Sequence, residues 1–320
     1  MGVQSCRAGG LIVMATRTFR DLFRSWRRNL KARLPYVRRR EYRILERKYG
    51  ELIDGLGHTP RASLARLHAL KPMTGPWVGD VCLFVTFASK PHIKRHVQAH
   101  LENLLRAGVN VVLIVNTELA PDQIVLDAAL SSRLSGVLVR ENVGFDFAAW
   151  AHAYLLCEQR DRWTRLMLVN DSIVGPLNTA DFDRMLMRLR NSIVDVVGLT
   201  ESRSPLPHVQ SFFLVFNATA LRSKVVQDFF QHMLSLPTKS QVIDVYETRL
   251  TQVLRLHGLR CEALFDPLSH DPHSSNDTYF RWDQLIHAGF PYIKASVLAK
   301  FAGSARIAGL IPAEFLQSDI

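Results

Sequence analysis

Cysteine is scarce in this chain and follows no pattern. Cys6, Cys82, Cys157 and Cys261 stand apart without a C-x-x-C spacing, which argues against a cysteine metal site and points to a reducing compartment. Long apolar runs are missing too, since none approaches the ~18 residues needed to span a bilayer. The stretch "LIVMA" (11–15) is short, lacks an A-x-A site and is followed by arginines, so it does not read as a secretory leader. Glycine-rich phosphate loops are also absent. Neither G-x-x-x-x-G-K-[ST] nor G-x-G-x-x-G follows the first strand, where "TFASKPH" carries no glycine. That argues against a classical ATPase or NAD site.

Most of the chain lacks net charge. Residues 1–50 hold 14 Lys/Arg against 3 Asp/Glu, a net of +11, which equals the total for all 320 residues. Residues 51–320 therefore sum to zero, and the protein reads as a neutral globule with a basic arm. In the arm, Phe19, Leu22, Phe23, Trp26 and Leu30 recur at helical spacing with arginines on the other faces, up to Pro35. Such a helix suits an anionic membrane surface; a helix packed on its own domain is the plainer alternative. Nucleic acid is a third option, but the neutral body and the lack of any nucleic-acid motif count against it. "MGVQSC" has Cys where a myristoylation site wants Ser or Thr at position 6, and Met14 is an equally good start.

After a linker over 51–78, the body alternates apolar strands with amphipathic helices. Strands are expected at 81–88, 110–117, 136–142 and 165–171, and helices at 90–109, 121–134 and 145–159. This predicts an α/β fold with a mostly parallel sheet flanked by helices. Residues 195–202 and 208–217 read as further strands and 240–258 as a helix. The main domain is expected to run to 270, with 271–320 as a helical tail packed on it. His92, His96 and His100 repeat every four residues but read as a solvated helix face rather than a zinc site.

Ligands of such sheets bind beyond the carboxyl ends of the strands. Those ends carry Thr86, Asn116, Asn142 and the triplet Asn170-Asp171-Ser172. A lone acid at a strand exit suits a hard divalent cation, Mn or Mg, that also holds substrate phosphates. A turn residue before Gly175-Pro176 is the competing reading of Asp171. Gly144 allows close approach to a ligand, and Asp146 opens the next helix, where it is either a ligand contact or a cap.

The order "NVGFD" (142–146), "NDSIVGPL" (170–177), "HVQSFFLVF" (208–216), a "YETRL" helix (246–250) and "NDTYFRWDQLIHAGFPYIK" (276–294) resembles the rhamnan synthesis protein F family of bacterial glycosyltransferases. The resemblance covers roughly residues 80–300. It implies a GT-A-like nucleotide-sugar-binding fold and a role in building cell-surface polysaccharide, and the basic arm adds the expectation of a peripheral enzyme at the cytoplasmic face of the inner membrane. That enzyme transfers a sugar such as rhamnose from a nucleoside-diphosphate donor to a cell-surface polysaccharide or its lipid-linked precursor. The resemblance puts Asn170-Asp171-Ser172 in the place of the metal-binding D-x-D, with Asn142 and Asp146 near the donor. A D-x-D has two carboxylates where this triplet has one, so His270 or His273 becomes the candidate for a further metal ligand. Glu247 stands where inverting enzymes of this fold carry the base that deprotonates the acceptor, with Asp244 in reserve. His208 and Gln210 are candidates for binding sugar hydroxyls. A catalytically silent nucleotide- or sugar-binding subunit is the alternative function.

Overall fold

The computed structural model describes residues 55–269 and 276–316, apart from 302, 305, 306 and 308, together with 47 and 50. The chain divides into two units, Met1–His58 and Thr59–Ile320. Apart from residues 47 and 50, the basic arm lies outside the described residues, and so does the amphipathic helix expected there. The second unit carries the sheet and the candidate site.

Its strands, in chain order, are β1 (Leu67–Lys71), β2 (Gly79–Ala88), β3 (Asn110–Thr117), β4 (Gly136–Glu141), β5 (Trp163–Asn170), β6 (Ile173–Val174), β7 (Val196–Gly198), β8 (Glu201–Ser202), β9 (His208–Val209), β10 (Phe213–Asn217), β11 (Cys261–Ala263) and β12 (Ile293–Lys294). Eight of them form one sheet in the order β1-β4-β3-β2-β5-β10-β7-β11. β2 pairs in parallel with both β3 and β5, and β3 in parallel with β4. These central strands are continuous apolar runs because both faces of the sheet are covered. β10 enters antiparallel between β5 and β7.

Helix α1 (Arg95–Arg106) buries Val97, Leu101 and Leu104 against the sheet. α2 (Ala128–Arg133) buries Leu130, and α3 (Phe145–Leu156) is buried continuously from Phe147 to Tyr154. The small residues Ala148, Ala149, Ala151 and Ala153 let α3 be enclosed rather than amphipathic. α4 (Thr179–Asn191) sends Phe182, Met185 and Leu186 into the main core. A second apolar cluster joins Val174 to Trp282, Ile293, Val297 and Phe315, seating the C-terminal segment on β6. None of the described helices is long and apolar enough to cross a membrane.

The structure departs from the sequence expectations at four places. The stretch read as a linker contains β1, an antiparallel edge strand on β4. Its residues are mostly exposed, so no apolar run announces it. Lys71 reaches from it to the carbonyls of Ser131, Ser132 and Leu134, capping the end of α2. The helix expected over 121–134 is a short 3-10 turn followed by α2, because Asp127 accepts a hydrogen bond from the Leu130 amide and starts the helix anew. The strand expected over 208–217 is broken: β9 pairs with β8, while β10 joins the main sheet. Finally, the histidine face of α1 is not solvated. His96 and His100 are each 1% exposed, and His100 Nε2 lies 2.9 Å from the Tyr292 hydroxyl.

Candidate functional site

A cleft of about 300 Å3 opens beyond the carboxyl end of β5. Its walls come from the exit of β5, the first turn of α3, the link between β9 and β10, the helix over 239–256, and β12. A larger depression, about 650 Å3, lies at the opposite end of β5 around Trp163 and Arg160, and holds none of the expected site residues. The cleft is the better candidate because carboxylates, ammonium groups and amides converge in it.

At the strand exit, Asn170 and Ser172 line the cleft. Asn170 Nδ2 donates to Asp146 Oδ2 at 2.8 Å, and its Oδ1 accepts from the Ser172 amide and hydroxyl at 3.1 and 2.6 Å. Asp146 also accepts from the Phe147 amide at 3.0 Å. Burial, reinforced by the nearby Glu247 carboxylate, raises its pKa above the ordinary value. Gly144 places Asp146 there. Its φ is +72°, and a Cβ at this position would lie 2.6 Å from Ser235 Cα. Asn116 supports the same turn from β3, donating to the Phe145 carbonyl at 3.2 Å.

Asp171 faces the other way. Its Oδ2 accepts from Thr86 Oγ1 at 2.7 Å, the Phe87 amide at 3.1 Å and Lys94 Nζ at 3.2 Å. It therefore clamps the ends of β2 and β5 together and has a cation of its own. β5 ends at Asn170 and the next two residues form a turn, in which Ser172 joins Asn170 in lining the cleft and Asp171 does not. No group of three metal-ligating side chains occurs among the described residues. The residues present do not fit the ion site expected at Asp171, whose charge is already met by three donors on the far side of the strand. His270 and His273 lie outside the described residues. Thr86, Asn116 and Asn142 do not line the cleft: the first two brace the strand ends, and Asn142 is half-buried before the Gly144 turn.

The opposite wall is the helix over 239–256. It begins as Lys239–Val242, widens to π geometry over Ile243–Glu247 and continues as Thr248–Leu256. Such a widened turn is common at functional sites. Here it ends on Glu247, which lines the cleft and accepts from the Ser211 amide at 3.3 Å. Asp244 is not a lining residue, so of the two candidate bases only Glu247 is presented. His208 and Gln210 both line the cleft and are nearly buried. Gln210 Oε1 accepts from Thr200 Oγ1 at 2.7 Å, and its Nε2 donates to Asn276 Oδ1 at 3.4 Å. His208 Nδ1 lies 2.6 Å from the Leu206 carbonyl.

Sequence reasoning missed Lys239 and Lys294, which both line the cleft. Lys294 belongs to β12, whose pairing with β6 sets Lys294 opposite Ile173. Its Nζ donates to Ser172 Oγ at 3.2 Å and sits 4.0 Å from the centre of the Phe212 ring. Burial is the main reason its pKa falls to about 8. Lys239 pushes the same way, and the carboxylates of Glu247 and Asp146 oppose both. The available signal was a lysine inside the apolar run "PYIKASVL" (291–298).

The structure is a mostly parallel α/β sheet with a polar, charged cleft at the carboxyl end of its strands, where sheets of this class take their ligands. The chain belongs to the rhamnan synthesis protein F family, whose model matches residues 111–315. It is 28% identical over 207 residues to the virulence protein VirA of Vibrio anguillarum, in strain ATCC 68554 / 775 and in a second record of the species. That alignment covers 55% of this chain and 66% of the relative's length. Among solved structures, the apo form of the bifunctional glycosyltransferase WbbM aligns with 71% of this chain and 47% of its own, at 12% identity and a TM-score of 0.35.

Proposed function

We propose that the protein is a glycosyltransferase of cell-surface polysaccharide synthesis, with a GT-A-like donor site in the cleft. A nucleoside-diphosphate sugar is the donor, rhamnose being the sugar the family description suggests. The observation that carries this reading is the convergence of Glu247, Asp146, Asn170 and Lys294 on one cleft at the end of β5. A carboxylate opposite an ammonium is what transfer between a hydroxyl acceptor and a diphosphate leaving group requires.

In this reading Glu247 takes the proton of the acceptor hydroxyl. The acceptor oxygen then bonds to the anomeric carbon as the bond from that carbon to the diphosphate oxygen breaks. The electron pair leaves with the diphosphate, and the configuration inverts. Asp146, held by Asn170 and the Phe147 amide, orients sugar hydroxyls, with His208 and Gln210 on the facing wall. The acceptor is a growing polysaccharide or its lipid-linked precursor. The basic arm holds the enzyme peripherally on the anionic inner face of the plasma membrane.

Hydrogen exchange of the full chain with and without UDP-, GDP- and dTDP-sugars tests the placement. One donor should protect residues 170–172 and 243–248 together. Protection of the Trp163–Arg160 depression instead would remove the cleft from consideration.

A further inference from the structure

The cleft supplies its own positive charge. Lys294 is anchored by Ser172 Oγ and the Phe212 ring, and among the described residues it forms no ion pair. Lys239 stands exposed at the rim, at the start of the helix that ends its widened turn on Glu247. The acid expected to hold a metal is on the other side of the strand, neutralised by Lys94 at 3.2 Å. The strand exit thus separates an internal acid–lysine clamp from a lysine-lined cavity.

We infer that Lys294, assisted by Lys239, binds the donor diphosphate directly and does at this site what a divalent ion at Asp171 was expected to do. This rests on reading the cleft as the donor site. Two structural features favour it. An ammonium presented from a rigid two-strand ladder is preorganised toward whatever enters between Ser172 and Phe212. Glu247 and Asp146 offset only part of the cost of burying the Lys294 ammonium, and an anion entering the cleft would offset the rest. An entering diphosphate would also restore the proton affinity that burial has removed from Lys294. Affinity should therefore decline as the pH rises past about 8.

The test is calorimetric titration of UDP, GDP, dTDP and inorganic pyrophosphate into the full chain, with EDTA and separately with Mn2+. Wild type, Lys294→Met, Lys239→Gln and Asp171→Asn are compared, each checked for a cooperative thermal transition. At least one nucleoside diphosphate should bind in EDTA about as well as with Mn2+. Lys294→Met should weaken it by roughly tenfold or more, as for loss of a charged hydrogen bond. Lys239→Gln should weaken it less, and Asp171→Asn hardly at all. Binding that requires Mn2+ and is lost in Asp171→Asn overturns the inference while leaving the donor site standing. Absence of binding in both buffers overturns both. Lys294→Met with wild-type affinity overturns the inference even if wild type binds in EDTA.

Discussion

Asn170, the last residue of β5, donates its side-chain amide to Asp146, in the first turn of α3, at 2.8 Å. This bond ties the strand exit to the helix start, and both of its residues line the cleft. Asn170→Ala leaves Asp146 without this donor, and the folded state should lose about 1–3 kcal/mol, read as a shift in urea midpoint. Asn170→Asp sets a second carboxylate against Asp146 and should abolish donor binding. An Asp variant that binds like wild type would show that Asp146 does not meet the ligand.

Glu247 and Asp244 separate the base from its reserve. Glu247→Gln should lower turnover by ~10²- to 10⁴-fold while nucleotide affinity changes little. Asp244→Asn, outside the cleft, should keep most of its turnover. Equal losses in the two variants would point to a shared structural role in the widened turn.

Gly175 controls where Lys294 stands. Its φ is +148°, and a Cβ there would lie 2.5 Å from the Pro291 carbonyl oxygen. Gly175→Ala should cost on the order of 1–3 kcal/mol and displace the β6–β12 ladder, so nucleotide affinity should fall with the melting temperature. A destabilised variant with unchanged affinity would separate Lys294 from the ladder that carries it.

Acid sensitivity follows from the buried histidines. Burial, with a smaller push from His96, lowers His100 to about 3; burial and Arg140 lower His152 to about 4. Both are neutral in the folded state, whereas the unfolded chain protonates them near the ordinary value of 6.5. Stability is thus full above about 6.5 and is lost as the pH falls toward the folded values. Urea midpoints should drop from neutrality down to about pH 4, and His100→Gln should flatten part of that slope. A midpoint that does not change over this range would contradict the burial of these rings.

The sheet was largely legible, because strands covered on both faces must be apolar throughout, as in "VCLFVTFA" and "NVVLIVNT". Asn170, Asp146, Glu247, His208 and Gln210, singled out from sequence as polar residues at strand and helix ends, come together in the lining of one cleft. The partners of Asp171 were not legible, because it sits in the turn just past the end of β5, where no periodicity fixes the side chain. The burial of His96 and His100 was hidden by Lys94 and Arg95 just before them, whose charges made the helix look solvated. Lys294 could not be placed at all. Its position depends on two-residue strands some 120 residues apart, too short for periodicity to reveal.

The most direct test of glycosyl transfer in the cleft is release of nucleoside diphosphate from UDP-, GDP- and dTDP-sugars by the full chain, with Glu247→Gln alongside. Wild type should release diphosphate from one donor class, and Glu247→Gln should bind this donor but release the diphosphate ~10²-fold more slowly or worse. Folded protein that releases none of them, or a Glu247→Gln variant as fast as wild type, would contradict it.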